Sequence, residues 1–293
     1  MADTMENTTG STTGNIRKPV IVLAVLGLLA AWVLVLVLSP GAEQPGETDT
    51  AIATADVTES APPQPAVAAM TEESIFDFFA DMKNDPAPPP GRGPHAVWQP
   101  PVDFDALRAF NADVYAWIMV PGTPIDYPVL QHPDDDSRYL NYNIDGSFGL
   151  PGCIYTEGMN GTDFTDPHTV IYGHNMKNGT MFGGLHRYRD AEFFRENRDI
   201  IIYTPERELH YEIFAAHEYD DRHLLHSFDF DDPGVFAAYL EGVLATRDMG
   251  ANMDRAANVT ADDKIITLAT CVSGRDDQRY LVQAVLRTDA THP

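Results

Sequence analysis

An apolar run from Val20 to Leu38 constrains this chain more than any other feature of its sequence. As a helix the run would be about 28 Å long, which nearly matches the roughly 30 Å hydrocarbon core of a bilayer. It therefore predicts a transmembrane helix over residues 19–38. A cleaved signal peptide is the alternative, but its apolar core is usually shorter, and the SPGA sequence at Ser39–Ala42 is a poor cleavage site. We therefore expect a retained anchor.

Basic residues set the orientation of this predicted helix. Arg17 and Lys18 immediately precede the helix, and no lysine or arginine occurs from Ser39 to Met82. Because basic residues tend to stay on the cytoplasmic side of a membrane, residues 1–18 are predicted to be a cytoplasmic tail. The rest of the chain is then expected outside the cell, tied to the plasma membrane by a single span.

Residues 39–101 have the composition of an extended extracellular linker, rich in Ala, Pro, Thr and acidic residues. The prolines clustered between Asp85 and Pro101 cannot sustain a helix or a central strand. One short amphipathic helix is predicted near residues 71–84. Because this helix is acidic, we expect it to dock on protein and not on lipid. Its apolar face is formed by Ile75, Phe78, Phe79 and Met82.

A folded domain is predicted over residues 102–293. Its many short apolar segments separated by turn residues predict a mainly β, α+β fold, a closed or nearly closed barrel with added helices. A helix is expected from Asp103 to about Asn111, and another from Pro233 to Arg247, where apolar residues recur at three- and four-residue spacing.

Composition excludes several functions for this domain. The chain carries 44 acidic and 19 basic side chains, and a net charge of −25 opposes binding to nucleic acid. Two cysteines, Cys153 and Cys271, cannot form a disulfide framework. His223 and His226 lack companion ligands at metal-binding spacing, so no structural metal is expected.

Two predicted strands near the C-terminal end bring a cysteine and an arginine together. Lys264–Cys271 and Arg279–Arg287 have strand composition, and a seven-residue loop, Val272–Gln278, is expected to join them as antiparallel neighbours. Cys271 would then face Arg279. A thiolate beside a guanidinium suits acyl transfer. The alternatives are a buried structural cysteine beside a solvent-facing arginine, and Arg275 in place of Arg279.

The motifs around these residues resemble those of the sortases, cysteine transpeptidases of Gram-positive bacteria. Thr267–Cys271, TLATC, followed by Arg279, is similar to the family's cysteine motif. Val170–Met176, VIYGHNM, continuing through Gly179–Phe182, resembles the histidine segment of class B sortases. The resemblance implies a closed eight-stranded barrel, N-terminal helices and a helix between the sixth and seventh strands.

The resemblance also implies a mechanism for the domain. Cys271 attacks the carbonyl of a threonine in the sorting signal of a secreted protein, His174 protonates the departing amine, and Arg279 stabilises the oxyanion. A peptidoglycan or pilin amine then accepts the acyl group. Leu140 and Thr270 are expected to contact the substrate, and no cofactor is needed. Ala269 stands where class B members commonly have serine, which leaves the choice of sorting signal open.

Other functions remain possible at this point. Class C pilin polymerases usually carry a second apolar segment after the barrel. A papain-like cell-wall cysteine hydrolase would place its cysteine before its histidine, at the start of a helix. A catalytically inactive, membrane-tethered binding domain is the third alternative.

Overall fold

The computed structural model describes residues 70–83 and 100–291. The predicted cytoplasmic tail, the predicted transmembrane helix at 19–38 and most of the predicted linker lie outside these ranges. Within them, no helix combines the length and the apolar character needed to cross a membrane.

The described residues form six α-helices, one 3-10 helix and nine strands. The α-helices are α1 Glu72–Asp81, α2 Phe104–Phe110, α3 Arg138–Asn141, α4 Ala191–Glu196, α5 Leu224–Ser227 and α6 Pro233–Ala245, and the 3-10 helix is Phe182–Arg189. The strands are β1 Val114–Met119, β2 Asp126–Leu130, β3 Ile154–Tyr155, β4 His168–Tyr172, β5 Asp199–Tyr203, β6 Arg207–Asp220, β7 Asn252–Met253, β8 Ile265–Val272 and β9 Arg275–Thr291.

Eight of the strands close into a barrel. Their order is β5, β1, β2, β3, β4, β8, β9 and β6, and the pairing of β6 with β5 closes the ring. The short β7 pairs with β6 further along, at Ala215 and Ala216. The pairs β2–β3 and β4–β8 are parallel and the remaining pairs are antiparallel. Helix α6 lies between β6 and β8, the sixth and seventh strands of the ring. The predicted mainly β fold and closed eight-stranded barrel are confirmed.

Helix α1 packs against the barrel, as its acidic, amphipathic sequence predicted. The Thr71 side chain accepts a hydrogen bond from the Ser74 N–H and so caps the first turn. Ile75 and Phe79 are buried in the main core, where the Phe79 ring meets Trp117 of β1 edge-on at 6.1 Å. The burial of one face explains why so short a helix forms.

Helix α6 covers the outer surface of β8 and β9. Asp232 caps its first turn, Pro233 opens it, and its apolar residues belong to a second core with residues of β4, β6, β8 and β9. Consequently β8 is buried from Ile265 to Thr270 on both faces, and its exposed position is Cys271. The sequence of β8 therefore alternates only weakly between apolar and polar residues.

A chain of buried polar side chains links the strands beneath α6. Gln283 of β9 donates to the Tyr239 hydroxyl of α6 at 2.5 Å and to the Thr267 hydroxyl of β8 at 3.0 Å. His217 of β6 and His168 of β4 lie at the two ends, bonded to Gln283 and Thr267. Because buried polar groups are costly unless paired, these bonds favour one register of the four strands.

Candidate active site

Cys271 lies at the exposed end of β8, opposite Arg279 of β9. The Cα pairing of these two residues confirms the predicted juxtaposition. The predicted seven-residue loop from Val272 to Gln278 is wrong in extent, because Val272 pairs with Arg275 and the turn between them is Ser273–Gly274. Gly274 adopts a φ of 77°, which permits so tight a turn. The solvent-exposed start of β9 is polar, so its sequence resembles that of a loop.

His174 follows β4 and reaches the same edge of the barrel as Cys271. Since β4 and β8 are parallel neighbours, their carboxyl ends meet. Two bonds extend the pairing beyond Tyr172: the Gly173 N–H donates to the Ala269 carbonyl at 3.2 Å, and the Thr270 hydroxyl donates to the Gly173 carbonyl at 2.7 Å. The topology of the sheet thus brings His174 and Cys271 to the same edge, although they are 97 positions apart in the sequence.

The imidazole of His174 is oriented by the backbone of α3. Its Nε2 lies 2.6 Å from the Leu140 carbonyl oxygen. Because a carbonyl oxygen only accepts, Nε2 carries a proton, and Nδ1 is the ring atom left for chemistry.

One cavity of about 260 Å³ unites the predicted site residues. Cys271, His174 and Arg279 line it, together with Leu140 and Thr270. The Leu140 side chain is 38% exposed. Thr270 is buried, and its hydroxyl donates to the Gly173 carbonyl. Most of the remaining wall is aromatic or aliphatic, which suits an extended peptide with apolar side chains. That wall includes Tyr155, Tyr172, Tyr219, Leu224 and Leu281.

Arg275, the alternative partner, is directed elsewhere. Its guanidinium pairs with Glu218, as does that of Arg189 at 2.8 Å. The Arg279 guanidinium donates through Nη1 to the backbone carbonyls of Asp276 and Gln278, at 2.9 and 3.0 Å. These bonds hold Arg279 at the cavity beside Cys271.

The second cysteine is separate from the site. Cys153 is buried just before β3, and its thiol donates to the Tyr142 carbonyl with an Sγ to oxygen distance of 3.5 Å. Burial raises the pKa of the Cys153 thiol well above its usual range, so this sulfur stays protonated. Both cysteines are free, and Cys271 is the exposed one.

Two side chains not identified from the sequence hold the backbone of Cys271. The Asn175 amide donates to the Cys271 carbonyl at 3.0 Å and to the Ser273 hydroxyl at 3.1 Å. His186 Nε2 donates to the same carbonyl at 3.1 Å, and burial lowers the pKa of His186, which keeps it neutral. Asn175 directly follows His174 in the VIYGHNM motif, which is the sequence signal that points to it. His186, 85 positions before Cys271, has no local signal.

Glu157 and His223 form a second polar group in the wall of this cavity. Glu157 lies 2.5 Å from His223 Nε2, which also contacts the Tyr172 hydroxyl at 3.3 Å. Tyr172 stacks on Tyr155 at 5.5 Å, and burial together with Glu157 raises the pKa of Tyr172, so the phenol remains neutral. The sequence indicates no role for His223 in this cavity. Across residues 70–83 and 100–291, no three His, Cys, Asp or Glu side chains converge as a metal site would require.

Comparison with known proteins gives one family. Residues 118–287 match the family model described as "Sortase domain". The chain is similar to Sortase B of Listeria monocytogenes, with 33% identity over 184 residues that cover 62% of this chain and 73% of that protein.

Solved structures give the same result. A mutant form of Clostridium perfringens sortase B superposes with a TM-score of 0.57 at 27% identity, covering 63% of this chain and 86% of that one. A structure described as a Staphylococcus aureus sortase B–substrate complex superposes with a TM-score of 0.56 at 27% identity, covering 63% and 84%.

Proposed function

The chain belongs to the sortase family, as a class B cysteine transpeptidase, and we propose that it acts outside the cell while anchored in the plasma membrane. It cleaves the C-terminal sorting signal of another secreted protein after a threonine. It then transfers that protein to an amine of the cell wall or of a pilin subunit.

The observation that carries this proposal is the single cavity lined by Cys271, His174 and Arg279. The cavity combines an exposed sulfur, an imidazole with Nδ1 free of the Leu140 contact, and a fixed cation. A nucleophile, a proton carrier and an oxyanion partner are the groups that acyl transfer through a thioester requires.

The first step forms a thioacyl enzyme. The Cys271 thiolate attacks the threonine carbonyl carbon, and the developing oxyanion is stabilised by the Arg279 guanidinium. The carbon–nitrogen bond then breaks, and His174 gives its Nδ1 proton to the departing amine. Leu140, through its exposed side chain, and Thr270 contact the sorting signal at the wall of the same cavity.

The second step releases the product. A neutral acceptor amine attacks the thioester carbonyl and loses a proton to His174 Nδ1. The carbon–sulfur bond breaks, and Cys271 leaves as the thiolate that started the cycle. The enzyme ends with the same protons with which it began.

Membrane attachment is proposed from the sequence. The apolar run at residues 19–38, with Arg17 and Lys18 before it, supports a single span with the N-terminus in the cytoplasm. Residues 39–101, which include helix α1, are proposed to link the span to the domain at residues 102–293. Protease treatment of intact cells tests this topology, because it should remove the domain and leave the N-terminal tail protected.

Mass spectrometry of the full chain in detergent micelles tests the chemistry. Incubation with Asn-Pro-x-Thr or Leu-Pro-x-Thr peptides should give a covalent adduct, and added glycine or diamine should convert it to a new amide. Cys271→Ala should abolish the adduct. Cys153→Ala is the matched control and should retain it, because its sulfur is buried and protonated. An adduct that survives Cys271→Ala would refute the assigned nucleophile.

A further inference from the structure

A second cavity adjoins the strand end that carries Cys271. It measures about 570 Å³, and its wall includes Asn175 and Val272, the residues that directly follow His174 and Cys271. The two cavities share no lining residue, and Asn175 and His186 in the wall of the second cavity both donate to the Cys271 carbonyl. A molecule in the second cavity would therefore lie next to Cys271 without occupying the wall that a sorting signal contacts in the first.

The second cavity is basic, although the chain as a whole is strongly acidic. Among the described residues, none of those that line it is acidic. We call it the basic cavity, and its polar wall is formed by Asn175, Lys177, His186, Arg189, Ser273 and Arg275.

The positive charge of this cavity is only partly neutralised. Arg189 and Arg275 share one carboxylate, Glu218, which lies outside the wall, and the hydrogen bond from Arg275 is the largest cause that lowers the pKa of Glu218. Lys177 is exposed and makes no ion pair with any residue of the described ranges. Asp277 also acts on Arg275, so the three cations of the wall face two carboxylates. Lys177 supplies the positive charge that neither carboxylate pairs, close to the reactive cysteine.

We infer that the basic cavity receives the acceptor and recognises an anionic group, a carboxylate or a phosphate, carried a few bonds from the attacking amine. This inference rests on the proposed transpeptidase function. The cations attract the anionic end of the acceptor, while its amine reaches past Asn175 and Ser273 to the thioester carbon on Cys271. The amine forms the new carbon–nitrogen bond, the carbon–sulfur bond breaks, and the amine proton passes to His174.

The same charges also favour the reactive form of the acceptor. An ammonium ion cannot attack a thioester, and nearby cations disfavour the charged form of an amine. A positive cavity thus raises the fraction of neutral amine once the acceptor's anionic group has brought it in. An apolar or acidic cavity in this position would not both attract the anionic group and favour the neutral amine.

Acceptor kinetics of the full chain in detergent micelles test the inference. Triglycine and triglycine amide have the same amine, and only triglycine carries a carboxylate; phosphoethanolamine and ethanolamine form the equivalent phosphate pair. Lys177→Gln should raise the KM of the anionic member of at least one pair by about two- to fivefold, the range of a single exposed charge pair. The KM of the neutral member should not change, and added salt should reduce the difference between the two.

Two controls keep the result specific. Lys264→Gln removes the same charge at the opposite end of β8, roughly 23 Å from Cys271 by strand rise, and should leave acceptor KM unchanged. The rate of thioacyl formation, followed by mass spectrometry without acceptor, should be the same in Lys177→Gln as in the natural chain.

The outcomes are distinguishable. The pair that responds to Lys177→Gln identifies carboxylate or phosphate as the recognised group. If thioacyl enzyme forms but neither pair responds, or both members of a pair respond equally, the inference is overturned while the proposed function stands. If no thioacyl enzyme forms with any sorting peptide, the proposed function fails and this inference falls with it.

Discussion

Replacing His168 with leucine should make the domain more stable at acid pH. The structure gives both the direction and the approximate magnitude of this change. His168 is 1% exposed, and its ring contacts Phe230 edge-on at 4.3 Å and stacks on Phe236 at 6.2 Å. Nε2 is bonded to the Thr267 hydroxyl at 2.6 Å, whereas Nδ1 has no hydrogen-bond partner within the described ranges. An imidazolium at this position would carry a charge among aromatic rings with one N–H unpaired.

Burial therefore lowers the pKa of His168 from 6.5 to about 3. Because the folded pKa lies below the unfolded one, the stabilisation from neutral His168 is complete above the unfolded pKa and is lost as pH falls from 6.5 towards 3. Linkage gives a loss of about 2 kcal/mol at pH 5 and roughly 4 kcal/mol at pH 3.

Urea unfolding of three proteins at pH 7.5 and pH 5 measures this effect. His168→Leu loses the bond to Thr267 and should be about 1 kcal/mol less stable than the natural chain at pH 7.5. It has no imidazole to protonate, so it should be about 1 kcal/mol more stable at pH 5, with the two curves crossing near about pH 6. Thr267→Val loses the hydrogen bond to His168 and also the one from Gln283, so it should be less stable at both pH values. It keeps the imidazole, so its stability should fall with pH in parallel with that of the natural chain.

The contribution of other groups cancels in this comparison. Buried His217, whose pKa is also lowered by burial, and the paired carboxylates titrate in all three proteins. If His168→Leu loses as much stability as the natural chain between pH 7.5 and pH 5, then His168 is not kept neutral by the fold, and the argument from burial is wrong.

Two further predictions concern the helix on the barrel and the backbone of the reactive cysteine. Phe79→Ala removes the buried ring that packs on Trp117, and urea unfolding should show a loss of about 3–5 kcal/mol in the free energy of unfolding. A loss below about 1 kcal/mol would mean that α1 is not part of the core. Asn175→Ala removes a hydrogen bond to the Cys271 carbonyl that contributes about 1 kcal/mol, so thioacyl formation should slow about fivefold. Asn178→Ala is the control: Asn178 lies in the same loop but is bonded to Glu72, so this change should not slow thioacyl formation.

The sequence predicted helices α1, α2 and α6 because their local signals agree with the tertiary structure. Helix α6 shows the point: its apolar residues recur with helical period, Pro233 starts it, and that same face is buried. Strand boundaries were less predictable. Strand β3 is only Ile154–Tyr155, shorter than a pattern of apolar residues indicates, and β9 begins at Arg275 although its first residues are polar and exposed. Such ends are fixed by pairing with a neighbouring strand, which a single sequence does not contain.

The candidate site was predictable only in part, for a related reason. Cys271 and Arg279 are joined by a short hairpin, so their pairing follows from local sequence. His174 joins them through β4, and only the resemblance of motifs indicated that it would. His186 and Glu157 contribute through contacts between distant segments. Their sequence surroundings carry no motif, so the fold had to be known before either could be identified.

The parallel pair β4–β8 explains why chemistry is located at this edge of an otherwise largely antiparallel barrel. Two antiparallel neighbours would place the residues that follow their carboxyl ends at opposite edges, whereas this pair delivers His174 and Cys271 to the same one. Strand β9 runs back from that edge and supplies Arg279. A shift of β8 by one residue would turn Cys271 towards the core, because side chains alternate along a strand. The buried bonds of Thr267 and Gln283, which oppose such a shift, therefore maintain the geometry of the site from a position four residues before Cys271 on the same face of β8.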